Sequence, residues 1–255
     1  MNNDDSPAFV YSASYGEDEK SVNFEYATRC NVEFQKAGVR GISLLFASGD
    51  SGAGGNCTKS AGRLNPNFPV GSPYVTGVGG LVGGKAGAEP TGETADSISG
   101  GGFSDYWSTV PEWQKDAVAA YQSACAANKC PPLNTWSQKG RGYPDIAAQS
   151  ENFLVVTFGI PLPVSGTSAA CPTASGIIGL LNDARIAAGK SPLGFLNPFL
   201  YHAVTVDPLA FNDVVEGSNM GCSNGGFSAA KAWDPVTGLG SLNYKRLVKI
   251  ALDLP

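Results

Sequence analysis

Histidine is almost missing from this sequence: there is one, His202, in 255 residues. A serine nucleophile usually passes its proton to an imidazole, and here that chemistry has a single candidate. His202 stands beside Phe199, Leu200 and Tyr201 and reads as a surface or packing residue. Charge is scarce too, at 15% of residues with a net charge of −5. Clustered Lys and Arg are lacking, which argues against a nucleic-acid partner. No apolar run reaches the ~18 residues of a membrane span. The polar opening MNNDDSPAF has no apolar stretch of the signal-peptide kind. Six cysteines are too few for a disulfide scaffold. Cys125 and Cys130 frame a short loop and are spaced to pair, whereas Cys30 and Cys171 read as buried thiols. Asn56-Cys57-Thr58 is a glycosylation sequon, relevant only to a secreted chain. Neither a repeat nor a linker divides the chain.

What is present is a globular balance, 42% hydrophobic with 33 glycines, which implies a packed core with many loops. Phe9 to Tyr15 reads as a strand. Val22, Tyr26, Cys30, Phe34 and Ala37 recur at helical spacing, which predicts a helix over Lys20 to Gly38. Glu17, Asp18 and Glu19 are placed to face its positive end. Ile42 to Ser48 is a continuous apolar run, as in a strand buried on both faces. Strand–helix–strand implies a parallel pair. Further strands are expected at Tyr74 to Val82 and Asn152 to Thr157, a loop or hairpin at Gly83 to Ser99, and a sharp bend at Gly100-Gly101-Gly102. Helices are expected at Glu112 to Ala127, Ala169 to Ala188 and Asn243 to Leu252.

Ser165-Gly166-Thr167-Ser168-Ala169-Ala170-Cys171-Pro172 joins an extended segment to a helix of small residues. The free N–H groups of a helix start can stabilise an oxyanion. By residue chemistry alone, Ser165 and Ser168 read equally well as helix caps, with Pro172 tolerated in the first turn. Phe46-Ala47-Ser48-Gly49-Asp50-Ser51-Gly52 ends the buried strand, where ligands bind in α/β sheets. Farther on, Phe211-Asn212-Asp213-Val214 and Ala232-Trp233-Asp234-Pro235-Val236-Thr237-Gly238 set two carboxylates around a glycine-rich loop. Such a loop can enclose a hard cation with the help of carbonyl oxygens.

The SGTSxxxP octet resembles the nucleophile motif of the subtilisin–sedolisin clan, and the GDSG and WDPVTGLG segments resemble the sedolisin (serine-carboxyl peptidase) family within it. Ser14-Tyr15-Gly16, Pro73 to Gly80, Ser99 to Ser104, Tyr143 to Ala148 and Leu193 to Pro198 carry the resemblance along nearly the whole chain. It implies a subtilisin-like α/β fold: a mainly parallel sheet flanked by helices, with residues 1–255 as one partial peptidase domain. It also implies an acid-acting serine peptidase, either a tripeptidyl aminopeptidase or an endopeptidase, acting on peptide or protein substrates. Ser168 is then the nucleophile and Asp50 a protonated oxyanion donor. A C-terminal loop, about residues 211–240, would hold Ca2+ through the carboxylates of Asp213 and Asp234 and the carbonyls of Val214, Ala230 and Ala232. The family often has glycine at the last two of these carbonyl positions. A Cys57–Cys222 disulfide, a propeptide and secretion or delivery to a lysosome-like acidic compartment are implied likewise. Asp145 resembles a structural aspartate of the family's core.

One family element has no match. Sedolisins carry the base glutamate and its aspartate four residues apart on a helix upstream of the oxyanion aspartate, and nothing before Asp50 fits. Glu112-Trp113-Gln114-Lys115-Asp116 has the spacing but falls after Asp50. The resemblance therefore implies that the first strands and the Glu/Asp helix lie outside this chain. The chain alone is expected to be inactive, with an exposed apolar sheet edge. Two other readings stay open: a relative that binds peptides without cutting them, and a subtilisin-type peptidase with an upstream histidine.

Overall fold

A computed structural model describes residues 2–54, 62–84, 92–125, 130–222 and 225–255. Strand β1 (Val10–Ala13) is followed by β2 (Glu17–Asp18), helix α1 (Phe24–Val39) and β3 (Ser43–Ala47). β1 and β3 pair in parallel, as the opening strand–helix–strand pattern predicts. The helix starts later than its periodicity suggests. Asn23 caps it, accepting from the N–H groups of Glu25 and Tyr26. The acidic run therefore does not face its dipole: β2 pairs instead with β4 (Asn67–Phe68), and Glu19 begins a short 3-10 turn.

The central sheet is completed by β5 (Thr76–Val82), β6 (Thr94–Ala95), β9 (Ile146–Gln149), β12 (Phe211–Asn212) and β13 (Ser241–Leu242). Its order is β1-β3-β5-β9-β13-β12, with β6 paired to β5 off this path. The first four pairings are parallel, and only β12 and β6 run antiparallel to their neighbours. β7 (Gly102–Phe103) and β8 (Gly142–Tyr143) form a separate ladder. Helices α2 (Lys115–Ala124), α3 (Thr167–Ala187), α4 (Asn197–Val206) and α5 (Tyr244–Asp253) complete the fold. α3 packs on β1, β3, β5 and β9, and α5 packs on α3.

Phe103, Trp136, Phe227 and Trp233 are buried and form an aromatic cluster, the Phe103 and Trp136 rings stacking at 4.6 Å. The cluster fixes the 100–103 segment against the C-terminal loop. The Gly100-Gly101 pair makes close approaches: a Cβ on Gly100 would lie 1.9 Å from the Ser48 carbonyl oxygen, and one on Gly101 1.8 Å from that of Pro235. The predicted strand at 152–157 is one arm of a hairpin, β10 (Phe153–Thr157) with β11 (Ile160–Val164). It lies off the main sheet, with Leu154, Val156, Phe158 and Ile160 exposed. Cys125 and Cys130 are disulfide-bonded. Cys171 is a buried thiol as expected, but Cys30 is only partly buried. The expected Cys57–Cys222 pairing lies outside the described residues.

Candidate active site

β3 is apolar and buried to Leu45, and at its carboxyl end the chain turns through Gly49 to present Asp50. Gly100 holds that turn, its N–H donating to the Gly49 carbonyl at 2.8 Å. From the other side comes Gly166, the N-cap of α3, with φ 138°. A side chain there would be strained, and its Cβ would lie 2.9 Å from Asp50 Oδ2. Glycine is thus required both by the backbone and by the nearness of Asp50. Neither Ser165 nor Ser168 caps the helix, because no side chain does. Ser165 Oγ accepts instead from the Asn152 N–H at 3.3 Å.

α3 begins at Thr167, two residues before its expected start, so Ser168 lies in its first turn and Pro172 lies beyond that turn. Pro172 has no N–H to donate to the carbonyl of Ser168. That carbonyl accepts instead from Ser14 Oγ at 3.3 Å, tying the start of α3 to the segment after β1.

Ser168 and Asp50 line one open cleft of about 660 Å³, together with Ser14, Tyr15, Gly16, Asn67 and Phe68. They are joined through Thr167. Its backbone N–H and its hydroxyl each donate to Asp50 Oδ1 at 2.7 Å, and Gly49 N–H donates to Thr167 Oγ1 at 3.2 Å. Glu17 and Asp18 also line the cleft. Reading them as helix-end charges misses this, because only the short pairing of β2 with β4 turns them to the cleft. His202 is exposed on α4 and is not a lining residue. Glu112 is likewise away from the cleft, pairing with Lys115.

Behind the cleft wall, Glu19 is fully buried. Its Oε1 accepts from Ser104 Oγ, and its Oε2 accepts from the N–H groups of Asp105 and Tyr106 at 2.8 and 3.0 Å. Burial pushes its pKa up to about 7. Asp145, the expected structural aspartate, is fully buried. It pairs with buried Arg141 at 2.5 Å and accepts from Gly77 N–H and Tyr201 Oη–H at 2.7 and 3.1 Å.

In the C-terminal loop, Asp234 is fully buried, and burial raises its pKa to about 7. Its Oδ1 accepts from the N–H groups of Val236 and Thr237, and its Oδ2 from that of Ala230. Asp213 lies at the surface with its carboxyl toward the same loop, accepting from Ala232 N–H at 2.9 Å; partial burial holds its pKa above the usual carboxylate range. Neither carboxylate forms an ion pair among the described residues. The carbonyls of Val214, Ala230 and Ala232 accept no hydrogen bond among them either. Ala232 takes the left-handed φ of 64° that glycine ordinarily supplies. No group of three or more His, Cys, Asp and Glu side chains that could hold a metal occurs among the described residues, so any cation here would rely on these carbonyls.

Ser168 in the first turn of α3 and Asp50 beyond the carboxyl end of β3 thus line one cleft of a subtilisin-like α/β fold. The family model described as "Subtilase family" matches residues 2–191, and the chain belongs to that family. Within it the chain sits with the sedolisins. It is 43% identical over 264 aligned positions to tripeptidyl-peptidase 1 of Rattus norvegicus and 42% identical to that of Homo sapiens, each match covering 99% of this chain and 45% of the relative. The chain thus spans about half the length of these curated relatives. The structure of Pseudomonas sedolisin, a serine-carboxyl proteinase complexed with two molecules of pseudo-iodotyrostatin, superposes with a TM-score of 0.76 at 27% identity. That match covers 95% of this chain and 64% of sedolisin.

Proposed function

We propose that this chain is the nucleophile-bearing part of an acid-acting serine peptidase, a tripeptidyl aminopeptidase or endopeptidase that cleaves peptides or proteins. The supporting observation is the cleft shared by Ser168 and Asp50, with Thr167 bonded to the latter. Ser168 Oγ attacks the scissile carbonyl, and its proton passes to a glutamate–aspartate pair supplied from outside these residues. Neutral Asp50 donates a hydrogen bond from Oδ2 to the oxyanion of the tetrahedral intermediate. The pair gives that proton to the departing amine, and water then hydrolyses the acyl-enzyme. A carboxylic acid donates only while it holds its proton, so turnover is confined to acid. The parent protein is made with a propeptide and acts after secretion or in a lysosome-like compartment.

Calcium fits the C-terminal loop, where Asp213 and Asp234, neither of them ion-paired among the described residues, accompany three carbonyls that accept no hydrogen bond among those residues. Asp213, Asp234 and the carbonyls of Val214, Ala230 and Ala232 would hold it. Such an ion would cross-link the loop and stabilise the fold.

The test is hydrolysis of unblocked peptides by the full-length gene product. Cleavage at pH 3–5 that disappears in Ser168→Ala supports the reading. A neutral or alkaline optimum would establish the subtilisin type instead, and peptide binding without cleavage would establish a non-catalytic relative. The 255 residues alone are predicted to cleave nothing.

A further inference from the structure

We infer that Thr167 is a positioning residue that commits the proton of Asp50 to a single oxygen; this rests on the function proposed above. Thr167 is buried, and its hydroxyl accepts the Gly49 N–H at 3.2 Å. The remaining hydroxyl proton therefore points at Asp50 Oδ1, 2.7 Å away. The Thr167 backbone N–H donates to the same oxygen at 2.7 Å. Oδ1 thus faces two donors, and an acid proton placed on it would meet another hydrogen. The proton of neutral Asp50 belongs on Oδ2, which has no hydrogen-bond partner among the described residues and lies beside Gly166, two residues before Ser168.

The arrangement solves a problem peculiar to a carboxylic acid as oxyanion donor. An amide has one donor end, whereas a carboxyl has two equivalent oxygens and can present the wrong one. A hydroxyl bonded on both sides removes that equivalence. Thr167 is β-branched and stiff at χ1, and Gly49 and Asp50 lie on one loop, so the loop and the helix start are locked together.

The experiment compares Thr167→Val, Thr167→Ser and Ser168→Ala in the full-length gene product, with kinetics and crystal structures of each. Valine keeps the shape and the backbone N–H but loses the hydroxyl. Thr167→Val is predicted to lower kcat at least ~10-fold, less than the ~10²–10³-fold that removing an oxyanion donor itself costs. KM should change little, as expected for an interaction made in the transition state. Thr167→Ser should recover most of the loss. In crystals of Thr167→Val the Asp50 carboxyl should rotate away from residue 167. Unchanged kcat in Thr167→Val, or equal damage in Thr167→Ser, would overturn the inference while leaving the peptidase reading intact. Activity that survives Ser168→Ala would overturn the peptidase reading instead. Were no variant to turn over substrate, an unmoved Asp50 carboxyl in the Thr167→Val crystal would be enough to reject the role.

Discussion

Replacing Glu19 by glutamine should make the protein more stable near neutral pH and leave it unchanged in acid. Glu19 has no solvent exposure, and its pKa is raised from 4.5 to about 7. In the unfolded chain it titrates near its ordinary value, so folding favours the protonated form. The associated stability is fully present below about pH 4.5, is lost as pH rises to about 7, and stays lost above. At ~1.4 kcal/mol per pH unit the loss is about 3 kcal/mol. Glutamine copies the protonated acid. Its oxygen accepts from Asp105 and Tyr106 N–H as Oε2 does, and its amide stands where Oε1 accepts from Ser104 Oγ, so in the variant, as in the protonated acid, the serine hydroxyl gives up that bond. For a domain of this size ~1 kcal/mol corresponds to about 2–4 °C in Tm. Thermal melts at pH 4 and pH 7.5 should therefore coincide in acid and separate by roughly 6–12 °C at the higher pH, with Glu19→Gln the more stable. Parallel melting curves at both values would refute the reasoning, as would a variant weakened equally at each.

Asp145→Asn leaves the guanidinium of Arg141 buried without its counter-ion; urea unfolding should show a loss of about 3–5 kcal/mol, and a loss below ~1 would mean that Arg141 finds another partner. Calcium at ~100 times its dissociation constant should stabilise the protein by about 2.7 kcal/mol. This gain should vanish in Asp213→Asn and with a chelator, as read by thermal shift; a gain that survives in Asp213→Asn would place the ion elsewhere.

The long elements were legible because each carries its own periodicity or apolar run. Ile42 to Ser48 announced β3, and the small-residue helix after Ser168 announced α3 to within two residues. The helix α4 (Asn197–Val206) was not expected, and the other elements missed are defined by partners. β9 is only four residues, Ile146–Gln149, and is central because β5 and β13 flank it. β11 contains Pro161 and Pro163, which argue locally against a strand, yet it pairs with β10 at the surface. Glu17 and Asp18 look like charges at a helix start until β4 pairs with them and turns them to the cleft. For the candidate site, the motifs single out Ser168 and Asp50 in the sequence, and the fold sets both on one cleft. The bond from Thr167 to Asp50 spans more than a hundred residues of chain and becomes visible only in three dimensions. Pro172 reads as a helix-start residue; its consequence, a freed Ser168 carbonyl bound by Ser14, required the register of α3.

The central claim concerns which two side chains meet the tetrahedral carbon and its oxygen. A crystal structure of the full-length protein with a peptide aldehyde at acid pH tests it most directly. A covalent bond from Ser168 Oγ to the aldehyde carbon is predicted, with Asp50 Oδ2 at about 2.5–2.7 Å from the new oxygen. An adduct on another residue, or an Asp50 carboxyl turned away from that oxygen, would contradict the account.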